Sequence, residues 1–332
     1  MNERSMDRRE FLKRAAGAAA AVGGLASGGL NAATSPFPAI YDAKSLPTRI
    51  FGKTGVAVPR IGVGLGSRWC AVEDPEKAQA VLLSALDHGF YYWDTASSYR
   101  NKDISSEERI GRVLETRRKE VFLATKCEAR TYDETLKEFE GSLKRLRTSY
   151  IDVYQIHLLQ SPTDVEIVAS ERGALKALRR LKEEKAARFI GFTGHLSAEA
   201  MTAAARDHDF DSMLIALNHY AERKGDLEKE AIPAAAAKNL GIAVIKVIRP
   251  RETVAGITAD ELIRYALSLE LVHAAMLGMD NLEVVRKNAE LLRAFVPLPR
   301  SEMARIGTIL APFFAGRRLP WMDPSYRDGH YA

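Results

Sequence analysis

The 332-residue sequence predicts an α/β fold, a (β/α)8 TIM barrel with an N-terminal β-hairpin and a C-terminal helical extension. Three observations predict it. Short apolar strands alternate with amphipathic helices eight times along the chain. The strands are mostly continuous apolar runs, as expected of a parallel sheet covered on both faces. The length also suits one barrel domain.

The elements follow in order. "RIFGKTGVAVPRIGVGL" reads as a hairpin leading into the first strand. In "EDPEKAQAVLLSALDHG", Asp74 caps a helix whose first turn holds Pro75. Ala78, Val81, Leu82, Ala85 and Leu86 share one face, and Gly89 ends it. Strand "FYYWDT" comes next, then helix "SSEERIGRVLETRR", strand "VFLAT" and helix "DETLKEFEGSLKRL". Strand "DVYQIH", helix "GALKALRRLKEEK", strand "RFIGFT" and helix "SAEAMTAAARDH" continue the rhythm. Strand "SMLIALN", helix "LEKEAIPAAAAKNLG" and strand "IAVIKV" lead to helix "TADELIRYALSLE", opened by a capping box of Thr258 and Glu261. Strand "VHAAML" and helix "NLEVVRKNAELLRAF" complete the series. A doubly wound open sheet is the rival. It needs a glycine-rich turn running from its first strand straight into a helix, and "GVGLGSRWC" runs on into "SRWCAVEDP" instead.

Residues 1–33 stand apart: paired Arg8 and Arg9, a short Ala/Gly-rich apolar stretch, then small residues suited to cleavage. This pattern predicts a twin-arginine export signal, the export machinery as a partner, and a periplasmic or otherwise exported protein. The apolar run is too short for a permanent membrane span. Residues 34–47 read as a linker, and 48–332 as the barrel with its tail. The formal charge is +5, of which the first 33 residues contribute +2. A surplus so small and scattered argues against nucleic acid as a partner. Cys70 and Cys127 are the two cysteines, and they offer neither metal-ligand spacing nor a disulfide framework.

Barrel active sites lie at the C-terminal strand ends. There the second strand delivers Asp94, the third Lys126 and the fourth His157, with Tyr99 on the loop five residues beyond Asp94. Singly each has a plain structural explanation; together, on adjacent strands about 4.8 Å apart, they form a constellation. A buried carboxylate needs a partner, and Lys126 supplies one. The same ammonium beside Tyr99 favours phenolate, which makes the phenol a usable general acid, and His157 can orient the same substrate oxygen.

At this point the sequence resembles the aldo-keto reductase family over about residues 48–292. The resemblance rests on "RIFGKTG", "DHGFYYWDTASSY", "SEERIGRVLETRRKEVFLATK" and "LKEFEGSLKRLRTSYIDVYQIH". It implies a catalytic tetrad of Asp94, Tyr99, Lys126 and His157 and hydride transfer between a nicotinamide cofactor and a small-molecule carbonyl: an aldehyde, ketone or sugar. "ARFIGFTGH" resembles a branch whose members often carry a cysteine-rich iron–sulfur extension; no such cysteines are present, so no cluster or other metal is implied.

The resemblance also implies cofactor contacts. A Ser-Asn pair that meets the nicotinamide carboxamide falls at Thr193 and Gly194, and a sixth-strand glutamine falls near Leu214. Lys246, Arg249 and Arg251 are pyrophosphate contacts by charge, or a solvated basic loop. The helix start near Gly278 and Asn281 offers free N–H groups to a phosphate, and Asn288 matches an adenine contact. An arginine used for the 2′-phosphate falls at Val284. Family habit implies NADP, with NAD open. Trp69 is either a wall of the substrate pocket or core packing, and His195 sits near the expected nicotinamide. A tail over the mouth or a frayed end are both open for "RRLPWMDPSYRDGHYA". Alongside catalysis, a cofactor-binding sensor with little turnover is the alternative function.

Overall fold

The computed structural model describes residues 37–217, 220–221, 225–249 and 254–314. Its strands are β1 (Thr48–Ile50), β2 (Ala57–Pro59), β3 (Ile61–Gly64), β4 (Tyr92–Asp94), β5 (Arg100–Asn101), β6 (Ile104–Ser105) and β7 (Phe122–Cys127). They continue with β8 (Ile151–Ile156), β9 (Ala187–Gly194), β10 (Ser212–Ala216), β11 (Tyr220–Ala221), β12 (Gly225–Asp226), β13 (Gly241–Ile245) and β14 (Ala274–Gly278). Eight of these close a parallel barrel in chain order, β3-β4-β7-β8-β9-β10-β13-β14 and back to β3. An antiparallel β1–β2 hairpin precedes the barrel, as the sequence predicts. The doubly wound alternative is excluded by closure.

Helices wrap the outside: α1 (Ser67–Cys70), α2 (Pro75–Asp87), α3 (Ser106–Arg117), α4 (Tyr132–Arg145), α5 (Pro162–Ala169) and α6 (Ala174–Glu183). They continue as α7 (Ala198–Asp207), α8 (Ile232–Ala237), α9 (Ala259–Ser268), α10 (Leu282–Arg293) and α11 (Arg300–Phe314). Asp74 caps α2 through Glu76 N and Lys77 N, and the five apolar residues named above are its buried face. Thr258 and Glu261 make the reciprocal capping box of α9. Two short antiparallel pairs, β5–β6 and β11–β12, add to the expected strands, and three helical elements differ from expectation. A helical turn, α1, directly follows the first barrel strand. A second short helix, α5, precedes α6. The expected helix "LEKEAIPAAAAKNLG" splits into a π-helical turn, Leu227–Ala231, and α8, because Pro233 has no N–H to donate and fits only in a first turn.

The N-terminal segment is more ordered than its composition suggests. Expected as a linker over 34–47, it packs along its described part, 37–47, on the floor of the barrel. Ile40 N donates to Lys119 O (2.7 Å), and the Tyr41 ring stacks on Tyr91 at 5.0 Å between centroids. Tyr41 OH donates to Asp152 Oδ1 (2.9 Å). Asp152, near the start of β8, is fully buried; Arg118 (2.7 Å), Leu123 N (2.9 Å) and Arg188 (3.4 Å) supply its other donors. A carboxylate buried that deeply is stable only with its hydrogen-bonding capacity filled. Tyr41 therefore completes the shell. Burial, then the Asp152 charge, hold the Tyr41 phenol well above its usual range, so it stays a donor.

Gly89, which ends α2, makes this docking possible. Its φ of +97° is disfavoured for other residues, and an added Cβ would lie 2.1 Å from Ala43 O. Gly89→Ala is expected to destabilise the fold by about 3 kcal/mol, because strain and a backbone clash act together. Urea unfolding measures this; wild-type stability would contradict the docking of residues 37–47.

Candidate active site

Strand register places the catalytic candidates. Asp94 pairs level with Ala124 on β7, and Lys126 level with Gln155 on β8. Side chains alternate along a strand, so Ala124 and Lys126 share the interior face of β7, as Gln155 and His157 do at the end of β8. Lys126 thus starts two residues above Asp94 and reaches down to it. At that level Ala124 contributes only a methyl group.

Every proton of the Lys126 ammonium is used. It donates to Asp94 Oδ2 (2.6 Å), Thr95 O (2.6 Å) and Tyr99 OH (3.1 Å), in a position with no solvent exposure. Gln155 Nε2 donates to the second Asp94 oxygen at 3.1 Å. Burial pushes the Asp94 carboxyl upward, and the Lys126 charge and hydrogen bond, then Gln155, oppose that push. The loop carrying Tyr99 is pinned at both ends: Thr95 N donates to Ala124 O (2.9 Å) and Ser106 N to Tyr99 O (3.0 Å).

His157 lies edge-on to Tyr99, with ring centroids 5.7 Å apart. Its Nδ1 is 2.5 Å from Glu128 Oε1. Just beyond, Leu158 adopts a left-handed backbone (φ 58°), a costly conformation for a non-glycine residue that the surroundings must enforce. Three groups hold this turn. Leu158 N donates to Thr193 Oγ1 (2.8 Å) and Leu159 N to Thr193 O (2.7 Å). Arg130, ion-paired with Asp164, donates to the carbonyls of His157 (2.9 Å) and Leu158 (3.1 Å).

The four candidates read from the sequence therefore converge. Gln155, Glu128 and Arg130 were missed. Gln155 was recoverable from strand alternation, two residues before His157. Glu128 and Arg130 lie past the end of β7, where no periodicity marks a side chain's direction.

The cofactor candidates are spread along the rim. Thr193 is buried and spends its hydroxyl oxygen on the His157 turn. Gly194 is tightly packed, since a Cβ there would lie 2.3 Å from Met201 Sδ. His195 is buried directly after β9. Lys246 has a left-handed backbone (φ 61°) beyond β13, and Arg249 N donates back to its carbonyl at 3.2 Å. Gly278 ends β14 beside Gly64, the end of β3. Asn281 caps α10 by accepting from Val284 N (2.9 Å), and Asn288 is buried on the same helix. Trp69 is fully buried beneath the Arg109 guanidinium, 4.9 Å from its ring. Cys70 and Cys127 are buried thiols that form no disulfide; burial pushes the Cys70 thiol up to about 11. Arg251, the export pattern and the tail from 315 onward lie outside the described residues. Among the described residues, no three His, Cys, Asp or Glu side chains group as a metal site. Nor is any helix among them long and apolar enough to cross a membrane.

Comparison with known proteins bears on this geometry. The model of the "Aldo/keto reductase family" matches residues 60–250. The Schizosaccharomyces pombe "Aldo-keto reductase yakc [NADP(+)]" is 34% identical over 177 residues, covering 48% of this chain and 49% of that protein. A Pseudomonas "D-threo-aldose 1-dehydrogenase" is 26% identical over 224 residues, 58% of this chain and 67% of that protein. Several of the curated relatives are matched over about half of their length. The solved structure of a Klebsiella pneumoniae aldo-keto reductase in complex with NADPH superimposes with a TM-score of 0.63. It covers 80% of this chain and 95% of that one at 22% identity, which speaks to the shared fold. With the family model spanning more than half of its length, on a closed eight-stranded barrel, this chain belongs to the aldo/keto reductase family.

Proposed function

We propose that the chain is an NADP(H)-dependent oxidoreductase that reduces the carbonyl of an aldehyde, ketone or sugar to an alcohol. The observation that carries this reading is the buried Lys126 ammonium, which donates to Asp94 and to the Tyr99 hydroxyl at once. Membership of the family and the cofactors named for two relatives support it.

The residues present fit a dinucleotide. Barrel helices begin at the mouth, so the first-turn N–H groups of α10 are oriented toward an anion there. Gly64 and Gly278 end adjoining strands without side chains, and the Arg68 stem, paired through its Nε with Asp280 at 2.8 Å, lies over Gly278 and adds a cation there. Lys246 and Arg249 add positive charge from the loop after β13. Asn281, Asn288, Gly278 and Gly194 are the other proposed contacts, with Thr193 and His195 bordering the nicotinamide end and Arg251 extending the basic loop. When bound there, NADPH would supply a hydride for the carbonyl carbon.

The chain handles the proton. Tyr99 donates its phenolic hydrogen to the carbonyl oxygen, which becomes the alcohol hydroxyl. The phenolate left behind is stabilised by the Lys126 ammonium at hydrogen-bond distance, and Asp94 keeps that ammonium charged. Solvent returns the proton to Tyr99. His157 hydrogen-bonds the carbonyl oxygen and fixes its direction. A cofactor-retaining sensor is the second reading. Gly194, packed against the Met201 thioether, offers no side-chain amide to the carboxamide, and this weaker hold on the reacting ring favours it.

Mature protein mixed with NADPH and a panel of aldehydes, ketones and sugars separates the two by loss of nicotinamide absorbance. Turnover is expected, and Tyr99→Phe is expected to lower kcat by a factor on the order of 100 or more with NADPH binding retained. Binding without turnover across the panel would favour the sensor; failure to bind either nicotinamide dinucleotide would exclude both. Lys126→Met is expected to abolish activity and to cost about 3 kcal/mol in urea unfolding, because Asp94 is left buried and unpaired. Asp94→Asn in the same chain should restore part of that stability.

For residues 1–33 we propose folded export through the twin-arginine machinery, on the pattern of Arg8 and Arg9. Changing both to lysine is expected to retain the protein in the cytoplasm, as read by cell fractionation. An unchanged distribution would count against export by this route.

A further inference from the structure

Glu128 is not a free surface carboxylate. Its backbone N donates to both Glu138 carboxylate oxygens (3.0 and 3.2 Å), and Ala129 N donates to the same group (3.0 Å). Ser97 Oγ also donates to Glu138, so the Tyr99 loop and the end of β7 share one anchor. From this fixed base, Glu128 Oε1 accepts from Ser98 Oγ (2.7 Å) and meets His157 Nδ1 (2.5 Å). It joins the residue next to Tyr99 to the imidazole.

We propose that Glu128 is a positioning residue that holds His157 as an imidazolium, so that the ring offers a charged N–H from Nε2 to the substrate carbonyl oxygen. This rests on the reading of the site as a carbonyl reductase. The argument is one of hydrogen-bond inventory. A neutral imidazole has one donor and one acceptor nitrogen. If neutral His157 donates from Nδ1 to the Glu128 carboxylate, Nε2 carries a lone pair, which repels a carbonyl oxygen. Only the doubly protonated ring donates to the carboxylate and to the substrate together. A charged donor also strengthens its hydrogen bond as negative charge develops on that oxygen.

Among the described residues, the other charges around the ring leave this role to Glu128. Lys126 and Asp94, facing His157 from β7 and β4, are paired with each other at 2.6 Å. Arg130 touches the His157 carbonyl but is paired with Asp164 at 2.6 Å. Tyr99 presents a neutral ring, and Cys127 meets His157 through its carbonyl. From β9 come the Thr193 hydroxyl and, one residue past the strand, His195. Among the described residues, Glu128 is the anion directly on the ring. Burial works against its charge, yet the His157 hydrogen bond and charge, with Ser98 and Arg130, hold its carboxyl down at about 2.

The test compares wild type, Glu128→Gln and Glu128→Asp, each checked for wild-type circular dichroism. Imidazole nitrogen shifts of His157 are followed by NMR from pH 5 to pH 10, assigned with His157→Gln. Removing the anion disfavours the imidazolium, so the His157 midpoint should fall by about one pH unit or more in Glu128→Gln and stay near wild type in Glu128→Asp. At neutral pH, kcat for a reduced aldehyde should fall about 10-fold to 100-fold in Glu128→Gln, with KM changed far less, and recover in Glu128→Asp. An unchanged midpoint in Glu128→Gln overturns the proposal, whatever happens to activity. A lowered midpoint with unchanged kcat overturns the role in the reaction. Should wild type reduce no carbonyl, the functional reading fails, and the titration still decides whether Glu128 sets the charge of His157.

Discussion

A single ammonium, removed from water, sets the terms for the mouth of this barrel. Lys126 has three protons and three acceptors: a carboxylate on the neighbouring strand, a backbone carbonyl just past that strand, and a phenol on the loop beyond. A buried cation is tolerated only when so completely partnered, and the requirement runs both ways. Asp94 must be ionised and fixed, hence Gln155 on its other oxygen. The loop from Thr95 to Tyr99 must fold back toward β7, hence its backbone bonds to Ala124 and to Lys126's own carbonyl. A one-residue slip between β4 and β7 would turn Asp94 or Lys126 out of the interior and leave the other exposed to the full cost of burial. Register and the meeting of these side chains are thus one constraint.

Around this pair the site is layered outward. Lys126 and Asp94 are fully enclosed. Tyr99 and His157 are buried at the rim. Glu128, about half exposed, faces solvent. Charges gain solvent as they leave the axis, and each inner one is matched to an opposite charge. The left-handed turn at Leu158 belongs to the same logic. Thr193 and Arg130 hold a strained backbone conformation, and this fixes where the His157 ring leaves β8.

Much of this was legible in the sequence because it depends on short-range patterning. Apolar runs marked all eight barrel strands. Asp74, Thr258 and Glu261 marked helix starts through local hydrogen-bond chemistry. Asp94, Lys126 and His157 announced themselves as polar residues ending apolar strands. What escaped depends on tertiary contact. Residues 37–47 read as a linker because the partner of Tyr41 is Asp152, more than a hundred positions away, and no local periodicity connects them. The short α5 has too few turns for a clear apolar stripe. Glu128 is a charged residue in a loop, indistinguishable in sequence from the solvated acids that surround it; its meaning comes only from where Ser98 and His157 arrive.

The closed order of the barrel strands divides the rim into two arcs. One, β4-β7-β8-β9, carries the carboxylate, the amine, the phenol-bearing loop and the imidazole. The other, β10-β13-β14-β3, ends in small or apolar residues, with Gly64 and Gly278 side by side. Because these polar groups are confined to one half of the circle, the loops of the other half can differ in length and composition without disturbing them.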